Sequence, residues 1–389
     1  MSSPDNRPRL LFLTPTFTGG SGIVIEELVK KLADRADILV LGLGPGRNIP
    51  GVKTIKIHYF LFDNIRGKYG SNVFFNALYQ TPLWLISAVT ILVLSFRFKP
   101  KVVVSNGFTP LLLSMFVTKA MGITSIVYYG SFLERVIQNL FLKFLFSKLN
   151  YFVDYAFVNS VGSAQDLGRI IKPGKIITIE HWTAMEPAVT SKVAELKIKH
   201  HTANKFVILY VGKFSPDKSF GVFLELARRL SYNKSLVFWF IGTGELMESL
   251  KSLTEKYGNV QYLGYFQDRQ LLGGYISAAD VTLSYADVTY LGMPATESLA
   301  CGTPIIISDR PALLERMNTQ ATIDNKLVPN SIGWILDTHD INHATQQLKD
   351  IINKGPTSRQ QRFRCRAYAL EKYSDKNLVP ALKLLLNNS

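Results

Sequence analysis

Cysteine is scarce in this chain: only Cys301 and Cys365 occur among 389 residues. Two cysteines make neither a disulfide framework nor a zinc site, and such scarcity fits a reducing compartment. Acidic residues are also few, 29 Asp and Glu against 44 Lys and Arg, for a net charge of +15. That imbalance favours an anionic partner: nucleic acid, a phosphorylated small molecule or an acidic membrane surface. Metal-ligand spacing is missing. The histidines are scattered, and 200-HH-201 falls in a polar stretch where it is expected to be solvated. No Ser-His-Asp or Cys-His system can be read, and there is no short repeat or low-complexity tract. The amino terminus, MSSPDNRPRL, is polar, so no secretory leader is expected and the protein is placed in the cytoplasm.

Charge is absent from residues 69–96, YGSNVFFNALYQTPLWLISAVTILVLSF. The stretch is long enough to span a bilayer, but Asn72, Asn76, Gln80 and Pro82 interrupt its first half. The dense apolar part, Leu83 to Phe96, is shorter than the roughly 20 residues a span needs. The expectation is a core helix feeding the strand 101-KVVVS-105. Residues 132–152 mix Phe and Leu with Arg135, Lys143 and Lys148, a pattern that suits a helix lying at the inner face of a membrane.

Apolar residues are plentiful, 47% of the chain, so large cores are within reach. The length predicts two to three domains. The opening reads strand 10-LLFLT-14, loop 15-PTFTGGSG-22, helix 23–35 with apolar residues at helical spacing, then strand 38-ILVLGLG-44. Strands alternating with helices predict an α/β fold with parallel sheets. A polar stretch, 191–205, reads as a linker, after which the alternation restarts with strand 206-FVILYVG-212. The expected domains are 1–190 and 200–372, with a last helix at about 375–389 packing back on the first. Ligands of such sheets bind beyond the carboxyl ends of the strands, which makes the cleft between two such domains the expected site.

Gly20 lies in a glycine loop after the first strand, where backbone N–H groups can meet an anion. The loop is not G-x-G-x-x-G and no Walker lysine follows, so nicotinamide binding is weakly supported. In the second half, 211-VGKFSPDKSFG-221 ends a strand and opens a helix, bringing Lys213 and Lys218 to a helix amino terminus. Two cations there could hold a diphosphate. In 292-GMPATESLACGTPIIIS-308, Pro294 suits the first helical position, Gly302 the helix end, and Glu297 the first turn. Asp280 reads as a turn residue at a helix-to-strand corner.

These motifs resemble the donor domain of family-four (group 1) glycosyltransferases of GT-B fold. The matching residues run in order: 211-VGKFSPDKS-219, 240-FIGTGE-245, 260-VQYLGYF-266, 278-AAD-280 and 292-GMPATESLACGTPIIIS-308, with Glu315 and 332-IGWILD-337 downstream. The likeness covers roughly residues 205–340 and agrees more loosely in the first half, through 14-TPTFTGG-20. It implies two doubly wound Rossmann-like domains facing a cleft. It also implies a hexosyltransferase that moves a sugar from a nucleotide diphosphate-sugar to an acceptor, with retention. Lys213 and Lys218, following Gly212, would bind the diphosphate. The backbone at Tyr265 and Phe266 would hold the base, and Leu291, Gly292 and Met293 would face phosphate and sugar. Glu297 would accept from the ribose hydroxyls. No metal is required, because the lysines supply the positive charge. The acceptor would be a glycan or a lipid-linked group, and nucleic acid is not an expected partner. Two positions depart from the family pattern: Thr289 replaces a usual Glu, and Tyr129 stands where a His is usual. They keep two other readings open, an inactive binding protein or partner subunit and a nucleotide-sugar epimerase of the same fold.

Overall fold

The computed structural model describes residues 7–14, 20–42, 49–56, 73–129, 148–179, 182–216, 219–284, 292–308 and 332–387. The chain divides into two compact units, Met1–Glu180 with Asn377–Ser389, and His181–Lys376.

In the first unit the strands are β1 (Arg9–Thr14), β2 (Asp37–Gly42), β3 (Lys53–Lys56), β4 (Val102–Asn106), β5 (Thr124–Tyr129), β6 (Tyr155–Val158) and β7 (Ile176–Thr178). They form one seven-stranded parallel sheet in the order β3-β2-β1-β4-β5-β6-β7. Leu10 to Leu13 of β1 are all fully buried, the continuous apolar run of a strand covered on both faces. The helices are α1 (Gly20–Leu32), α2 (Val73–Phe98), α3 (Phe108–Ala120), α4 (Leu149–Phe152) and α5 (Val161–Leu167). The helix Val379–Asn387 also belongs to this unit and buries Ala381 and Leu385. Gly20 and Gly22, read above as loop, lie within the first turn of α1.

α2 departs from the expected core helix. It buries Ser87, Ile91 and Ser95 but exposes Leu85, Ile86, Val89, Leu92, Val93 and Phe96. A uniformly apolar segment has no period, so its sequence does not say which side faces the core. Among the described residues, no helix is long and apolar enough to cross a membrane. The membrane-surface reading of 132–152 rests on residues of which only 148–152 are described.

The second unit holds β8 (Phe206–Lys213), β9 (Leu236–Thr243), β10 (Val260–Gly264), β11 (Val281–Ser284), β12 (Ile305–Ser308) and β13 (Gly333–Leu336). They too are parallel, in the order β10-β9-β8-β11-β12-β13. The helices are α6 (Thr190–Lys199), α7 (Phe220–Arg229), α8 (Met247–Lys256), α9 (Arg269–Ala278), α10 (Met293–Ala300), α11 (Ile341–Asn353) and α12 (Arg359–Lys372). Side chains of β8 alternate between two cores. Val207 and Leu209 join the cluster holding α9, α10 and α12, while Phe206, Ile208 and Tyr210 join that of α7, α8 and α11.

Three sequence expectations fail in this unit. The supposed linker is mostly α6, which packs on α9. Leu196 of α6 fits against Gly274, where a Cβ would stand 3.1 Å from its Cδ1. His200 is not solvated: its Nε2 lies 2.9 Å from the Tyr275 hydroxyl, and its ring meets Trp239 edge-on. Asp280 is more than a turn residue. It is buried, its Oδ2 accepts from the Val207 N–H at 2.9 Å, and Lys197 and Arg362 approach to 3.8 and 3.9 Å.

Candidate functional site

Strand order reverses between β8 and β11 in the second unit, so the carboxyl ends of these two strands flank a topological switch point, where open α/β sheets place ligands. β8 ends on Lys213, whose side chain is exposed. Its carbonyl oxygen accepts from the Tyr210 hydroxyl at 2.8 Å. The turn beyond is pinned to the neighbouring turn after β9: Phe214 N–H donates to Thr243 O at 2.9 Å, and Leu246 N–H to Phe214 O at 3.0 Å. This close approach requires glycine. Gly242 has φ +146°, and a Cβ there would overlap the Gly212 carbonyl oxygen; one at Gly244 would overlap that of Phe214. The 211-VGK-213 and 242-GTG-244 motifs are therefore one structural device.

Phe214 stacks on Phe220 with centroids 4.4 Å apart, which anchors the loop to the start of α7. Ser219, the residue before α7, has φ +50°. No acid occupies the first turn of α7, so its positive end meets no negative side chain of that turn. The Ser215 hydroxyl is buried with no hydrogen-bond partner among the described residues. Lys218 lies outside the described residues, as do Thr289 and Leu291.

Across the switch point, α10 starts at Met293 with Gly292 as its N-cap. Pro294 is its second residue, and Glu297 falls in the second turn rather than the first, too far inside for the dipole role read from sequence. Gly302 does end the helix, at φ +76°, with Gly302 N–H bonded to Leu299 O and Thr303 N–H to Ser298 O at 2.9 and 2.8 Å. The Glu297 carboxylate is buried, and its Oε1 accepts from Arg269 Nη2 at 2.6 Å. Its Oε2 has no hydrogen-bond partner among the described residues. Arg269 is the first residue of α9, set there by the Asp268 N-cap, whose Oδ1 accepts from Gln270 N–H at 2.8 Å and Leu271 N–H at 3.2 Å. Sequence reasoning missed Arg269, because an ion pair between residues 28 apart has no local signature.

After β10, Tyr265 is exposed, while Phe266 stacks on Tyr275 at 5.1 Å. Phe266 and Tyr275 also line a cavity of about 510 Å³ with His200 and Gln261. Burial, followed by the charges of Lys199 and His201, lowers the His200 pKa from its ordinary value. Burial pushes the thiols of Cys301 and Cys365 up to about 12, so both are inert packing residues. In the first unit, Tyr129 ends β5 with its side chain enclosed in an apolar cluster, 4.8 Å from the Phe108 ring.

Residues 193–371 match the family model described as glycosyl transferases group 1. A GDP-mannose-dependent α-(1-6)-phosphatidylinositol dimannoside mannosyltransferase of Mycobacterium tuberculosis is 36% identical over 81 residues, 20% of this chain and 21% of that protein. The match thus spans about a fifth of that relative's length. Among solved structures, Anabaena HepE in complex with UDP is similar at 14% identity and a TM-score of 0.72, covering 98% of this chain and 100% of that one. Sucrose-phosphate synthase from Thermosynechococcus elongatus is similar at 16% identity and a TM-score of 0.76, covering 98% of each chain. Identities this low carry the fold alone, and the two parallel sheets with their alternating helices are that fold. The chain thus has the GT-B fold, and its residues 193–371 are similar to the group 1 glycosyltransferases.

Proposed function

We propose that this protein transfers a hexose from a nucleoside diphosphate-sugar to a lipid-linked or glycan acceptor, with retention and without a metal ion. The observation that carries this reading is the pairing, at one switch point, of a cation ending β8 with a buried carboxylate on α10. Lys213 and Lys218 meet the diphosphate. As the bond from the sugar carbon to the β-phosphate oxygen breaks, negative charge grows on that oxygen, and the two lysine charges stabilise it. The amino terminus of α10 at Gly292 and Met293 adds its partial positive charge. Glu297 accepts from the ribose hydroxyls through Oε2, while Arg269 holds Oε1. The backbone beyond β10, at Tyr265 and Phe266, supports the base. Gly212 lets the diphosphate approach β8 closely, whereas Gly20 plays the corresponding part in the first unit.

The M. tuberculosis relative is named for GDP-mannose and a phospholipid-borne mannoside. Guanosine and uridine donors are therefore the first probes, and a lipid-borne acceptor the first acceptor. Release of nucleoside diphosphate from GDP-mannose or UDP-glucose, coupled to a labelled acceptor product, tests the reading. Binding of the diphosphate without turnover on any acceptor would favour a second reading, a nucleotide-sugar binding protein. The Tyr129 side chain, enclosed in the core where the family usually has a His, is what motivates it.

A further inference from the structure

We propose that the outer face of α2 docks this protein on an anionic bilayer surface. The exposed residues Leu85, Ile86, Val89, Leu92, Val93 and Phe96 recur at helical spacing and make one continuous stripe. Their exposures run from 37% to 61%, whereas Ser87 and Ser95 on the opposite face are at 0%. That is the reverse of a water-facing helix. Ser87 and Ser95 point inward beside Ile91, and the Ser95 hydroxyl is buried with no hydrogen-bond partner among the described residues. Burying an unbonded hydroxyl while leaving Phe96 in water is unfavourable on both counts unless something apolar covers the stripe.

Charge identifies the cover. No Asp or Glu occurs in the sequence between Asp63 and Glu134. The described basic residues of that interval, Arg97, Lys99, Lys101 and Lys119, are all exposed. Arg97 lies in the last turn of α2, and Lys99 and Lys101 follow directly. On α3, which packs beside α2, Lys119 Nζ sits 4.3 Å over the ring of Tyr151, and Phe116 and Tyr151 are both exposed. Apolar and aromatic groups fringed by cations, with no acid between, complement acyl chains under anionic headgroups. A second copy of this chain would bring the same cations against its own, so self-association is disfavoured. Ile91 of α2 is buried in the core of the first unit, so α2 meets the bilayer with its outer face, lying along the surface. Docking does not depend on the glycosyltransferase reading. Only its use, access to a lipid-borne acceptor, rests on that reading.

Flotation of the full chain with phosphatidylcholine vesicles, with and without phosphatidylglycerol, tests this. The wild type should float with the anionic vesicles and be released by salt. The variant Ile86→Glu/Val89→Glu/Val93→Glu changes only exposed positions. It should keep its melting temperature and its GDP affinity, and bind vesicles at least about a hundredfold more weakly. Arg97→Gln, Lys99→Gln and Lys101→Gln should each cost about fivefold on anionic vesicles. The proposal is overturned if the wild type stays with neither vesicle or if the triple variant floats like the wild type. It is also overturned if sedimentation shows a dimer that the triple variant dissociates. GDP binding measured on the same samples reports the donor site separately, so loss of docking and loss of the donor reading are told apart.

Discussion

Asp280 and Glu297 are both buried carboxylates of the second unit, yet they serve opposite ends of its sheet. Asp280 stands just before β11, at the amino end, and is met from three elements: the Val207 N–H donates to its Oδ2, and the charges of Lys197 and Arg362 stand at 3.8 and 3.9 Å. Its own carbonyl accepts from the Thr357 hydroxyl. Glu297 stands on the helix that starts beyond the carboxyl end of the same strand, and Arg269 alone among the described residues holds it. A carboxylate flanked by two cations and a backbone N–H from different elements ties those elements together. A carboxylate with a single arginine on one oxygen, and no described residue near enough to the other to bond or neutralise it, is set up to receive something else. Burial alone does not separate the two, since both are almost fully enclosed; the partner count does.

Removing each carboxylate should break the comparison in a different observable. Asp280→Ala should have the largest effect, on stability. It removes the acceptor of the Val207 N–H and the counter-charge of Lys197 and Arg362, and losing one partner of a buried charge network costs about 3–5 kcal/mol in chemical denaturation. If Asp280→Ala unfolds no more easily than Glu297→Ala, the two ends are not distinct. Glu297→Ala should act on donor affinity, by about 1.5–3 kcal/mol, or roughly tenfold to a hundredfold in Kd. Its stability loss should be the smaller of the two, because Arg269 is 33% exposed and can turn its charge to water.

The smallest effect belongs to His200, away from both carboxylates. Its folded pKa is depressed by burial, so the folded state takes up a proton less readily than the unfolded chain. Its contribution is therefore complete above the ordinary histidine pKa of 6.5 and is lost as pH falls through the lower folded value. His200→Asn should flatten the acid limb of the stability profile below that pH. An unchanged limb would show that His200 carries none of it.

Much of this was legible in the sequence because parallel strands are covered on both faces and leave continuous apolar runs such as 206-FVILY-210. The strand-end glycines were legible too, since only glycine permits the contact of Gly242 with the Gly212 carbonyl. α6 was not. Its ten residues bury little besides Leu196, so its composition reads as solvent-exposed chain. The outward face of α2 was hidden by its uniform apolarity. The anchoring of Asp280 and the pairing of Glu297 with Arg269 depend on neighbours far apart in the chain, which spacing cannot supply.

The central claim is that the carboxyl end of the second sheet holds a nucleoside diphosphate, with Lys213 on phosphate and Glu297 on ribose. Calorimetric titration of GDP and guanosine, and of UDP and uridine, into wild type, Lys213→Ala and Glu297→Ala tests it most directly. Lys213→Ala should weaken the diphosphate about tenfold or more and leave the nucleoside unchanged, whereas Glu297→Ala should weaken both. Equal weakening of diphosphate and nucleoside by Lys213→Ala, or no effect of Glu297→Ala on either, would contradict the account.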